Sequence, residues 1–157
     1  MSTSNEPQRR LKLFLRAEPE MGAEEIKQEA VDRLVELDRE GHIDEFEIGI
    51  WGKALRTGGP LAGTAYQREI LTHLREFREW AARHDVSLER AFEERDVTSA
   101  VTEESYRVVD LPTICLAVYE EGTLAGVYPC HDGDRARSVL EYLESATADR
   151  TPYVSNV

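Results

Sequence analysis

A mixed α/β domain, one sheet with helices on both faces, is the fold class that this chain of 157 residues predicts. Three observations predict it. A strand-like run, a helical run and a second strand-like run open the chain, an order that implies a parallel crossover. A long amphipathic helix comes next. A β-hairpin and a closing helix complete the order, so antiparallel strands must join the parallel pair.

Residues 1–9 are expected to be disordered, a single domain to span 10–146, and 147–157 to form a flexible tail. Within the domain, "RLKLFLR" alternates Leu11, Leu13 and Leu15 with charged residues. Phe14 interrupts that alternation, as in a strand covered on more than one face. From Met21 to Gly41, Ile26, Ala30, Leu34 and Leu37 recur at helical spacing, with acids on the other face. Phe46, Ile48 and Ile50 then alternate in a second strand. Thr64, with Gln67 three residues on, is the capping box of a long helix that buries Ile70, Leu74, Phe77 and Ala81. "HDVSLERAFEERDVTS" reads equally as short helix or strand. Pro112 to Tyr119 is β-rich, Glu120-Glu121-Gly122 turns it, and Leu124 to Tyr128 returns. Asp134 is the expected cap of the last helix, which buries Ala136, Val139, Leu140 and Leu143.

Charge narrows the function classes. Thirty-one acidic residues stand against nineteen basic ones, and only Lys12, Lys27 and Lys53 are lysines. Most of the excess lies between Glu18 and Glu47. Such a surface repels phosphate backbones, so nucleic acid is disfavoured as a partner. Dense carboxylates with few lysines match cytoplasmic proteins of salt-loving archaea. No apolar run approaches a membrane span, and the polar start has no secretory pattern. Two cysteines, Cys115 and Cys130, make no disulfide framework. The expected location is the cytoplasm.

Leu111-Pro112-Thr113-Ile114-Cys115-Leu116, then Tyr119-Glu120-Glu121-Gly122, resemble the thioredoxin-like fold around its cis-proline strand. The resemblance implies a cis bond at Leu111–Pro112 and a substrate-facing backbone beside it. It does not extend to redox chemistry. The stretch "RAEPEMGAEEIK" has no cysteine and instead carries Glu18, Glu20, Glu24 and Glu25, which disfavour a nearby thiolate. The whole chain, through "EFEIGIWGKAL", "LPTICLAVYEEG" and "YPCHDGD", also resembles small acidic haloarchaeal proteins that often carry a helix-turn-helix label. That resemblance brings no catalytic residues.

Candidate chemistry is sparse. Cys130 stands beside His131 and Asp132, but neighbours on an extended chain point apart. Gly58 to Thr64 nearly spells a phosphate-binding loop and lacks its lysine. His42, His73, His84 and His131 show no metal spacing, so no metal or cofactor is expected. A helix-turn-helix would need a recognition helix in Ser87–Arg95, where Glu89, Glu93 and Glu94 oppose Arg90 and Arg95. These residues read together as a non-catalytic protein-binding or regulatory module with a redox-inactive thioredoxin-like fold. Its expected binding residues are Leu111, Pro112 and Thr113, with Trp51 at the end of the second strand and Met21 and Gly22 from the loop after the first. A protein partner is expected, and edge strands leave a homodimer open. The alternatives are a helix-turn-helix transcriptional regulator and a single-cysteine thiol-dependent enzyme using Cys130.

Overall fold

The computed structural model describes residues 8–17, 21–57 and 64–146. The expected disorder of residues 1–9 falls largely outside these, and the expected tail 147–157 and the glycine loop 58–63 fall wholly outside. In chain order the elements are β1 (Arg9–Arg16), α1 (Ala23–Arg39), β2 (Glu45–Trp51), β3 (Ala54–Arg56) and α2 (Ala65–Arg83). Then come β4 (Glu94–Thr98), β5 (Ser105–Asp110), β6 (Ile114–Glu120), β7 (Thr123–Tyr128), β8 (Cys130–Asp132) and β9 (Arg135–Arg137). A third helix, α3, occupies 139–146.

The protein is a mixed α/β fold. Its main sheet has the order β2-β1-β6-β7, with β1 parallel to β2 and β6 antiparallel to both β1 and β7. The tight turn between β6 and β7 places Glu121 and Gly122 at φ 54° and 81°, the two positive values that a two-residue hairpin needs.

The interruption at Phe14 has a direct cause. Leu11 and Leu13 face α1 and α3, packing with Ala30, Leu34, Leu37, Val139 and Leu143. Phe14 faces the opposite layer, where Trp51 joins Leu74, Phe77 and Trp80 of α2. Burying each large apolar side chain contributes about 1.5–3 kcal/mol. The sheet is thus the middle of three layers, with α1 and α2 on opposite faces.

Three expectations are corrected, and one open stretch is assigned. Leu111–Pro112 is trans, and the cis bond lies instead at Tyr128–Pro129, between β7 and β8. The N–H of Leu111 donates to Lys53 at 2.9 Å, so the chain stays extended at the end of β5. Ser87–Arg95 is not a recognition helix. Ser87 exchanges backbone hydrogen bonds with His131 at 2.8 and 2.9 Å, Leu88 to Phe92 makes one turn, and β4 begins at Glu94. That strand joins β3 and β5 in a second sheet, order β3-β5-β4. Asp134 is not a cap: it lies in the β8–β9 turn, beside Gly133 at φ 65°. Ala136, expected inside the last helix, is an exposed residue of β9.

The true cap of α3 is Ser138. Its hydroxyl accepts from the Glu141 N–H at 3.1 Å, while the Glu141 carboxylate accepts from the Ser138 N–H at 3.0 Å. Ser138→Ala is expected to cost about 1 kcal/mol in urea unfolding, with an unchanged m-value.

Candidate functional site

The corner expected to bind a partner lies where β1, β2 and β6 converge. Trp51 is buried and stacks on Phe14, ring centroids 4.6 Å apart. Its indole N–H donates to the Pro112 carbonyl at 3.0 Å. The Arg16 N–H donates to the Thr113 carbonyl at 2.9 Å, and the Arg16 guanidinium donates to the Leu111 carbonyl. Three successive carbonyls of that corner are therefore bonded within the chain. An incoming strand would have to displace these bonds. Of the other expected residues, Met21 is fully exposed and Gly22 precedes α1 at φ 83°, the left-handed region.

Both thiols are inside. Cys115 and Cys130 are free, with exposures of 0% and 2%. Burial pushes both thiols up, at Cys130 against the opposing influence of Arg137. Neither is held as a thiolate. Both should react with a disulfide reagent on the order of 100-fold more slowly in the native protein than in urea. Fast native labelling of Cys130 would contradict its burial.

One polar cluster escaped sequence reasoning because it joins three elements. On the α2 side of the sheet, the Tyr119 hydroxyl donates to Glu76 at 3.1 Å, and His73 Nδ1 lies 3.9 Å from the same carboxylate. Burial, with Lys12 nearby, lowers the His73 pKa, while burial and then Glu76 raise that of Tyr119. Cys115 lies near Tyr119, but burial raises its pKa and disfavours a thiolate. Among the described residues no cluster of three His, Cys, Asp or Glu side chains could hold a metal ion.

The outer face of α2 carries a second feature. Thr64 caps the helix through the Gln67 N–H at 3.1 Å, and Ile70, Leu74, Phe77, Trp80 and Ala81 turn inward. Arg68, Thr72, Arg75, Glu79 and Arg83 are exposed, and their spacing of three and four residues aligns them in one row. The arginines stand about 10 and 12 Å apart along the axis. Among the described residues none of the three lies within ion-pair distance of a carboxylate, whereas Arg78, on the neighbouring row, pairs with Glu94 at 3.2 Å. Beside Arg78 runs an open groove of about 460 Å³ lined by Leu74, Phe77, Ala81, Leu88 and Phe92.

Charge is divided between the layers. Residues 1–52, which include α1, hold thirteen acidic against seven basic side chains, while 53–110, which include α2, hold eleven against nine. The acid-dense helix thus lies across the sheet from the arginine row. The sequence signal for this row was the spacing of Arg68, Arg75 and Arg83, readable only once the buried stripe of the helix is known.

Among the described residues no helix is long and apolar enough to cross a membrane. No curated protein and no solved structure matches the chain. A family model described as a helix-turn-helix domain matches residues 3–151. That match covers nearly the entire chain, which therefore belongs to this helix-turn-helix domain family.

Proposed function

We propose that the protein is a transcriptional regulator of the helix-turn-helix class that meets DNA through the exposed face of α2. The family match over residues 3–151 carries this reading and reverses the weight that net charge alone gave against nucleic acid. The arginine row supports it locally. Three guanidiniums without carboxylate partners among the described residues are free to neutralise phosphates, and half of the acidic excess lies in residues 1–52, which include α1 on the other face of the sheet. After α2 the chain makes a single turn and enters β4 rather than a second helix, so α2 itself is the helix offered to the duplex. Molar salt would screen the remaining repulsion to a length of about 3 Å and weaken the phosphate contacts as well, so binding should be tightest at low salt.

Two finer assignments belong to the same proposal. A thioredoxin-like fold is supported by the main-sheet order β2-β1-β6-β7, in which β6 alone runs against the others. A halophilic, cytoplasmic setting is supported by thirty-one acidic residues with only three lysines. The rival reading is a protein-binding module acting through Leu111, Pro112 and Thr113. Selection of bound duplexes from a random-sequence pool, at low and at molar potassium chloride, separates the two. Enrichment of a common site supports the regulator, and retention of no duplex at any salt concentration overturns it.

A further inference from the structure

The exposed edge of the main sheet carries an inference that is independent of DNA binding. β2 is an edge strand of seven residues, Glu-Phe-Glu-Ile-Gly-Ile-Trp, with no proline and no lysine. Edges of this kind are usually blunted by proline or charge, and here the charges are Glu45 and Glu47, which alternate onto the face opposite Ile48. Ile48 is 41% exposed and Ile50 54% exposed, on the same face as Phe46. Val31 of α1 lies beside Ile50 in the groove at that edge, and Val31 and Phe46 pack on the same core cluster. The apolar strip is therefore continuous from the strand to the helix.

Among the described residues, Tyr66 alone is seen bonded to the outer backbone of this edge. The Trp51 carbonyl accepts from the Ala17 N–H at 2.8 Å, which turns the odd-numbered residues of β2 toward β1 and the even-numbered ones outward. Tyr66 fits that alternation: its hydroxyl donates to the Ile50 carbonyl at 3.4 Å and accepts from the Gly52 N–H at 3.2 Å.

We infer that β2 pairs antiparallel with β2 of a second copy, about a two-fold axis through Ile48. The strand is self-complementary in this register. Ile48 meets its own copy, Phe46 meets Ile50, Glu47 meets Gly49, and Glu45 meets Trp51. Phe46, Ile48 and Ile50 of both copies then line one face as cross-strand neighbours. On the other face no carboxylate opposes a carboxylate. Centring on Glu47 would set that glutamate against itself, and centring on Gly49 would leave Glu45 and Phe46 beyond the ladder. A foreign strand would require no such symmetry, which is why the second copy is the occupant. Four of the six ladder bonds displace nothing, and the outer two share the Ile50 carbonyl with Tyr66.

Sedimentation velocity across protein concentration, in molar potassium chloride, tests the pairing. The unmodified chain should shift from monomer to dimer as concentration rises. Ile48→Glu and Ile48→Lys each place like charges at the axis and should sediment as monomers, with melting curves close to the parent because residue 48 is half exposed. Mixing the two variants should restore the dimer, since opposite charges then face each other. A parent chain that stays monomeric, a dimer that survives Ile48→Glu, or a mixture that fails to reassociate would each overturn the inference.

Discussion

Replacing Arg68, Arg75 and Arg83 together by glutamate is expected to abolish binding to duplex DNA while leaving the fold intact. The three side chains are exposed and make no ion pair among the described residues, so their loss removes no packing. Their effect lies in the encounter with phosphate. Each neutralised phosphate contributes about 0.9 to the slope of log affinity against log salt, so three contacts account for about 2.7. The triple alanine variant should lose that part of the slope, and the triple glutamate should add repulsion to the loss. Circular dichroism melting within a few degrees of the parent would establish that binding, not folding, has changed. Reversal of Glu89, Glu93 and Glu94 to lysine is the converse test and should strengthen binding most at low salt.

The second large effect is on stability. Trp51→Ala should lower the unfolding free energy by about 3–5 kcal/mol, a large part of the about 5–15 kcal/mol of an ordinary domain. Trp51 is 1% exposed, stacked on Phe14 and edge-on to Phe92 at 6.0 Å. It also ties β2 to the Pro112 carbonyl. Trp51→Phe keeps an aromatic ring but strands that carbonyl, and should cost less, about 1–3 kcal/mol. Urea titration at fixed salt measures both. Equal losses for the two variants would show that the indole hydrogen bond contributes little.

Strong apolar periodicity made part of this fold legible in the sequence. Leu11 and Leu13 alternate, Leu34 and Leu37 repeat at helical spacing, and Glu121-Gly122 can adopt the positive φ values of a hairpin. The second sheet was hidden for the opposite reason. β4 is Glu-Arg-Asp-Val-Thr, and Arg95 reaches Asp110 at 3.0 Å while Arg107 reaches Asp96 at 3.6 Å. Polar cross-strand pairs leave no hydrophobic alternation to read. The words around Pro112 matched a cis-proline pattern, but the cis bond lies at Tyr128–Pro129. Of the candidate site, Arg68, Arg75 and Arg83 were visible as residues but not as a row. Their common direction comes from Ile70, Leu74 and Phe77 turning inward.

The most direct test is a fluorescence anisotropy titration of a labelled random-sequence duplex of about thirty base pairs, repeated at several potassium chloride concentrations. The account predicts that the parent chain binds and that Arg68→Ala, Arg75→Ala and Arg83→Ala together reduce the salt slope by about 2.7. A parent chain that binds no duplex, or a triple variant with an unchanged slope, would contradict it.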